Sequence, residues 1–114
     1  MAGTSDELSL AQLEQLAETE PNRFLVLLES GTLRPTTLSF AAEFAVLLPD
    51  RAAAVAALDK LSHHVKSYVR EGAVLGLARL GTEVGVARLR QLANSDPDAD
   101  VRATAAELLD GAIT

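Results

Sequence analysis

The sequence predicts an all-α fold: an α-solenoid of stacked antiparallel helical hairpins with about seven helices. Its 114 residues are 48% apolar but only 4% aromatic, and most of the apolar residues are Ala and Leu, which favour helices. Apolar residues recur at helical spacing in successive segments that Pro, Gly and capping residues separate. A two-helix pattern also repeats at intervals of just over 30 residues, which is typical of stacked repeats.

The first two helices are predicted at about Ser9–Thr19 and Asn22–Ser30. In the first, Ser9 as N-cap with Gln12 three residues later forms a capping box, which marks a helix start. The second contains the apolar run Phe24–Leu28, whose periodicity would also suit a buried strand. A Pro before this helix and a Gly after it favour the helical interpretation.

The third helix is predicted to run from Pro35 to Pro49, and the fourth from an Asp50 N-cap to about Ser62. Glu43 is the only charged residue inside the third helix. A helix that is apolar nearly all round is normally covered on several sides. We therefore expect the third helix to lie in the interior.

The last three helices are separated by short turns. The fifth is predicted at about Lys66–Leu80, where Gly81 can adopt the left-handed conformation that ends a helix. Thr82 can cap the sixth helix at once, at about Glu83–Asn94, which requires a tight antiparallel hairpin. The seventh helix follows an acidic turn and runs to about Ala112.

The repeat is visible in the apolar positions of these helices. Those of the fourth helix recur 31 residues later in the sixth, as Val55, Leu58 and Leu61 and then Val86, Leu89 and Leu92. Those of the fifth helix recur 32 residues later in the seventh, as Val69 and Ala73 and then Val101 and Ala105. Gly72 and Gly76 in the fifth helix would let neighbouring backbones approach closely. Each hairpin cannot bury its apolar side alone, so we expect neighbours to stack.

At Tyr68–Gly81 and Asp96–Arg102 the sequence resembles the HEAT repeat family, in particular the short bacterial repeats named after phycobilin lyases. The first segment is similar to the first helix of such a repeat, and the second to the turn between repeats. The resemblance implies one domain that consists of a degenerate N-terminal cap at 1–32, repeats at 33–62 and 63–94, and a half repeat at 95–114.

Composition and charge argue against several classes of protein. The chain has no Cys, so it has neither disulfides nor thiolate metal ligands. A net charge of −6 works against nucleic-acid binding, which depends on clustered Lys and Arg. Met1–Leu10 lacks the basic and apolar regions of a signal peptide, and no apolar run approaches the ~20 residues that span a bilayer. We therefore expect a cytoplasmic protein that binds neither nucleic acid nor membrane.

Two groups of polar residues were tested for metal chemistry. His63 and His64 are adjacent, and adjacent residues on a helix point about 100° apart, so both seldom face one ion; an exposed helix end is the simpler interpretation. Asp96, Asp98 and Asp100 alternate as in a calcium loop, but the Gly and Glu that such a loop needs are not at the right spacing. Helix capping and the anchoring of an arginine account for these acids better.

No phosphate-binding loop, nucleophile elbow or zinc-protease motif occurs. We therefore expect no catalytic residue, metal or cofactor, and no enzyme. Arg70 and Arg102 occupy equivalent positions and predict ion pairs and turn contacts between repeats, with a role in partner binding as the alternative. The aromatic residues are expected mostly in the core: Phe24, Phe40, Phe44 and Tyr68.

The predicted function is therefore the binding of another protein through the exposed side of the second helices of the repeats. The candidate contact residues there are Asp59, Lys60, His63, Arg90 and Gln91, although all five could simply be solvated. Narrower hypotheses are an immunity or antitoxin-like protein that neutralises a basic toxin, which suits the negative charge, and an accessory subunit of a bilin-lyase-type system, which the resemblance suggests.

The seventh helix lacks a following partner helix in this sequence. Its apolar residues would then have one side uncovered, and terminal repeats normally need a polar outer face. A weak homodimer through this helix is therefore a further possibility, with contacts at Val101, Ala105, Leu108 and Leu109.

Overall fold

The computed structural model describes the backbone of residues 8–113 and the side chains of residues 8–111. Within this part of the chain all regular structure is helical, which confirms the all-α prediction. The first seven residues of the predicted N-terminal cap and residue 114 lie outside the described residues. The described helices are α1 (Leu10–Thr19), α2 (Pro21–Glu29), α3 (Pro35–Phe44), α4 (Arg51–Leu61), α5 (Ser67–Leu80), α6 (Glu83–Ser95) and α7 (Ala99–Ile113), with a short 3-10 helix at Ala45–Leu47 between α3 and α4.

Local capping interactions start α1, α4 and α6 and end α5 as the sequence predicts. The Ser9 hydroxyl accepts the Gln12 backbone N–H at 3.1 Å, and the Gln12 side chain accepts the Ser9 N–H at 2.9 Å. Asp50 caps α4 and Thr82 caps α6 in the same manner, each through its side-chain oxygen. Gly81 ends α5 with a φ of 63°, a conformation that a residue with a Cβ rarely adopts.

The prediction for the third helix was wrong about where the helix ends. The α-helix ends at Phe44, and the chain continues as a 3-10 helix before Leu48 becomes extended, with ψ at 136°. Pro49 explains this end, because its ring disfavours helical geometry at the preceding residue. The helix is covered on several sides as expected, because α1, α2 and α5 pack against it, although Phe40 is 55% exposed.

The helices form two layers. α1, α3, α5 and α7 pack side by side in one layer, and α2, α4 and α6 in the other. Most successive helices also contact each other across the layers, whereas α3 and α4 both contact the 3-10 helix that lies between them. The stack measures 46 × 28 × 18 Å and is therefore elongated.

A single core runs between the layers, and α5 buries eight residues, five of which are apolar side chains of this core. The predicted close approach occurs between α5 and α3. A Cβ added at Gly72 would overlap the carbonyl oxygen of Ser39, and one added at Gly76 would lie 3.2 Å from the carbonyl oxygen of Ala42. Glycine at these two positions therefore lets the two backbones touch.

Candidate interaction surface and inter-repeat cavity

The five predicted contact residues lie on or beside α4 and α6, in the second layer. Lys60, His63, Arg90 and Gln91 are exposed, whereas Asp59 is half-buried. Lys60 forms an ion pair of 3.3 Å with Glu29, which links α4 to α2. Both side chains of that pair are largely solvated, so the pair contributes little to stability.

An open apolar groove of about 530 Å³ lies between α4 and the start of α6. Ala52, Val55 and Ala56 line one wall, and Val84 on α6 lines the other. Val84 is 63% exposed, although it is apolar. Arg51 and Asp59 lie at the edges of this region, and we call it the α4–α6 groove. Of the predicted contact residues, only Asp59 lines it.

The aromatic residues were expected mostly in the core, but only two of the four are buried or half-buried there. Phe24 is fully buried and Phe44 is half-buried, but Phe40 and Tyr68 are 55% and 40% exposed. Phe40 lies on α3 beside a shallow depression that Leu10 of α1 also lines. The prediction failed for Phe40 because α3 is nearly apolar, so the sequence does not show which side of this helix faces solvent.

An ion pair joins Arg70 on α5 to Asp96 in the turn before α7. Arg70 Nε donates to Asp96 Oδ2 at 2.8 Å and Arg70 Nη2 donates to Asp96 Oδ1 at 3.0 Å. The pair is bidentate and almost inaccessible to solvent, with 11% and 1% of the two side chains exposed. Such geometry is the strongest form of ion pair that arginine makes.

Burial of Asp96 acts to raise its pKa, but the hydrogen bonds from Arg70 and from the Asp98 backbone N–H outweigh burial and hold that pKa below its ordinary value. The positive charges of Arg70 and Arg88 act in the same direction. Conversely, the hydrogen bond to Asp96 raises the pKa of Arg70 despite burial. The pair is therefore ionised at neutral pH, and it connects consecutive repeats.

The two equivalent arginines make equivalent turn contacts. Arg70 donates to the carbonyl oxygen of His64 at 2.9 Å, and Arg102 donates to that of Asp96 at 2.7 Å, in each case six residues back. This confirms the predicted turn contacts. Asp98 caps the start of α7 by accepting two backbone N–H groups. Within the described residues, no group of three or more His, Cys, Asp or Glu could hold a metal ion.

A polar cavity of about 320 Å³ opens between the α4–α5 turn and the end of α6. Ser62, His63, His64, Arg88 and Asp96 are among the residues that line it, and we call it the inter-repeat cavity. Arg88 Nε donates to the hydroxyl of the buried Ser62 at 2.8 Å, and Arg88 Nη2 donates to the Ser62 carbonyl oxygen at 3.1 Å.

Sequence reasoning missed Arg88. One signal was present, because position 88 lies 31 residues after Ala57, a buried position on α4. When a charged residue occupies the position that a buried Ala holds in the previous repeat, we expect a specific polar partner nearby. That partner is the turn that carries Ser62 and His63, and its proximity to Arg88 follows only from the stacking of the repeats.

The predicted self-association residues are mostly covered within one chain. Val101 and Ala105 are 1% and 0% exposed and belong to the core, so the expectation that they have an uncovered side was wrong. They face α5 and α6, on which α7 packs. Leu108 and Leu109 are half-buried against the same core. Association through these two residues stays a prediction.

No helix in the described part of the chain combines the length and the apolar character needed to cross a membrane.

Comparison with known proteins agrees with this architecture. A family model for HEAT repeats matches residues 35–110, which is about two thirds of the chain. No curated protein and no solved structure matches the chain. The matched segment begins with α3 and extends into the last turns of α7, so it takes in the stacked hairpins, the α4–α6 groove and the inter-repeat cavity. The chain therefore belongs to the HEAT repeat family.

Proposed function

We propose that this chain is a non-catalytic protein-interaction module that binds another protein through the α4–α6 groove. HEAT repeats are commonly protein-interaction modules, and stacked repeats present extended surfaces suited to that role. The observation that carries the proposal is the 63% exposure of Val84 in a groove that Ala52, Val55 and Ala56 also line.

The groove has the layout of a protein interface. Burial of an exposed Val by a partner contributes up to about 1.5–3 kcal/mol. Arg51 and Asp59 supply a cation and an anion at the edge of the apolar centre. An apolar centre with a polar rim is the usual anatomy of a protein interface. Asp59 thus retains the role that the sequence suggested, as part of the rim.

Val84→Asp tests the proposal, because a carboxylate in the groove would be desolvated by any partner that fills it. Val26 on α2 provides a matched control, since it is 65% exposed and also lies in the second layer. Both substitutions should leave the free energy of unfolding within about 0.5 kcal/mol of the wild type. The full chain and both variants would be used as baits in cell extract, with crosslinking and mass spectrometry.

We expect one stoichiometric protein that crosslinks to α4 or α6 in the wild type and in Val26→Asp but is lost in Val84→Asp. A set of captured proteins that Val84→Asp leaves unchanged contradicts the proposal, and so does the absence of any stoichiometric protein. The identity of the partner also decides between the narrower hypotheses. A basic toxin would support the immunity role, and a pigment-bearing protein would support the bilin-lyase role and the likeness to phycobilin-lyase-type repeats.

A further inference from the structure

The inter-repeat cavity contains two guanidinium groups, and only one of them has a carboxylate partner. Arg70 is neutralised by its bidentate pair with Asp96. Arg88 forms no ion pair within the described residues; its partners are Ser62, His63 and Gln91, which are all uncharged. A partly buried cation with only neutral partners has lost hydration without gaining a counter-ion. Asp96 is the one carboxylate among the residues that line the cavity, so its Arg and Asp side chains together carry one more positive than negative charge.

The hydrogen bonds of the two histidines determine where their protons lie. The Arg88 guanidinium can only donate hydrogen bonds, and its Nη2 lies 3.2 Å from His63 Nδ1. His63 Nδ1 must therefore accept this hydrogen bond. The Lys66 backbone N–H likewise donates to His64 Nδ1 at 3.0 Å. In a neutral imidazole whose Nδ1 accepts, the proton lies on Nε2. Both rings therefore carry an N–H donor on the nitrogen that these contacts leave free.

The third donor belongs to Arg88 itself. One N–H of Arg88 Nη1 donates to Gln91 Oε1 at 3.0 Å, on the exposed side of the guanidinium. The second hydrogen of Nη1 makes no contact within the described residues. Arg88 on α6 and the two histidines in the α4–α5 turn thus supply three N–H donors from two sides of one opening.

We propose that the inter-repeat cavity binds a phosphate-type oxyanion, either inorganic phosphate or the phosphoryl group of a small molecule. Arg88 supplies the counter-charge, and the imidazole Nε2–H groups of His63 and His64 complete the set of donors. Three donors on two separate elements suit a tetrahedral anion with several acceptor oxygens better than a planar carboxylate. The volume of about 320 Å³ also leaves room for an organic substituent beside Val65 and Leu92.

The test is a titration of the full-length chain, labelled with ¹⁵N, with sodium phosphate at pH 7 and constant ionic strength. We expect saturable shifts of the amide signals of residues 62–65 and 88, and unchanged signals in the α4–α6 groove, which shares no lining residue with the cavity. The result is therefore independent of the protein-binding proposal. A parallel titration with glycerol 3-phosphate separates the two sources: tighter binding than phosphate identifies an organic phosphate, and equal or weaker binding identifies the free anion.

Arg88→Gln should weaken phosphate binding by about tenfold or more, because it removes the charged donor. Arg90→Gln is the matched control, since it removes the same charge from an exposed position on the same helix that does not line the cavity; we expect less than about a twofold change. If Arg88→Gln does not fold, His63→Ala at its exposed position takes its place, with weaker binding expected. Shifts that sodium chloride reproduces, acetate binding as tight as that of phosphate, or equal losses in the Arg88 and Arg90 variants would overturn the proposal.

Discussion

Gly72 on α5 lies against the carbonyl oxygen of Ser39, where a Cβ has no room. We expect Gly72→Ala to lower the free energy of unfolding by about 1–2 kcal/mol, because overpacking costs about 1–3 kcal/mol and the better helix propensity of Ala returns only part of that. Gly111 on α7 is the control, since a Cβ there meets nothing within 4 Å. Gly111→Ala should be neutral or slightly stabilising in urea denaturation. Equal effects at the two positions would mean that the α3–α5 contact is not tight.

Asp96 is the carboxylate that balances a buried guanidinium. Asp96→Asn should reduce the free energy of unfolding by about 3–5 kcal/mol, since it leaves Arg70 buried without a counter-ion. Glu29→Gln, which breaks the exposed pair with Lys60, should cost less than about 1 kcal/mol. Chemical denaturation of both variants measures the difference, and similar losses in the two would contradict this account.

The same pair predicts a dependence of stability on pH. The pKa of Asp96 is lower in the folded chain than its ordinary value, so the folded state binds this proton less readily than the unfolded state does. The stabilisation is therefore complete above the unfolded pKa of about 3.9 and is lost as pH falls through the folded pKa. The stability difference between wild type and Asp96→Asn should stay constant from about pH 8 to pH 5 and narrow below about pH 4. If the difference in stability widens as the pH falls, the pKa of Asp96 is raised on folding and not lowered.

At the scale of single helices, capping sets where α6 begins. The Thr82 hydroxyl accepts the Gly85 backbone N–H at 3.1 Å, so Thr82→Ala should cost about 0.5–2 kcal/mol, and Thr82→Ser should retain most of the stability. Thr19→Ala is a suitable comparison, because Thr19 is exposed and its hydroxyl bonds only within the last turn of α1. We expect an effect there within about 0.5 kcal/mol in urea denaturation. Comparable losses at both threonines would argue against a specific cap.

Helix ends could be predicted from sequence because their determinants are local. The capping box at Ser9, the cap at Asp50 and the left-handed Gly81 each depend on residues within a turn, and each occurs as expected. The exposure of Phe40 could not be predicted, because it depends on how far neighbouring helices cover α3. Arg88 was missed for a similar reason, since its partner Ser62 lies 26 residues away and is brought near only by stacking.

At the scale of the whole molecule, stability should vary along the stack. α5 packs against α3, α4, α6 and α7 and buries eight residues, whereas α1 buries three. Native-state hydrogen exchange should therefore be slowest in α5 and faster in α1, because local opening is easiest where few contacts must break. Mass spectrometry of peptides from the two helices measures this directly. Uniform exchange from α1 to α7 would instead indicate that the stack opens only as one unit.

The hairpin between α5 and α6 also determines the width of the α4–α6 groove. Arg51 at the edge of the groove donates to the carbonyl oxygen of Leu80 at 3.3 Å, just before the turn, while Thr82 and Val84 just after the turn form the opposite wall. Inserting a residue after Gly81 would therefore alter the separation of the two walls without replacing any side chain on either of them. By changing the length of this one tight turn, protein engineers could therefore adapt the width of the groove to ligands of different size.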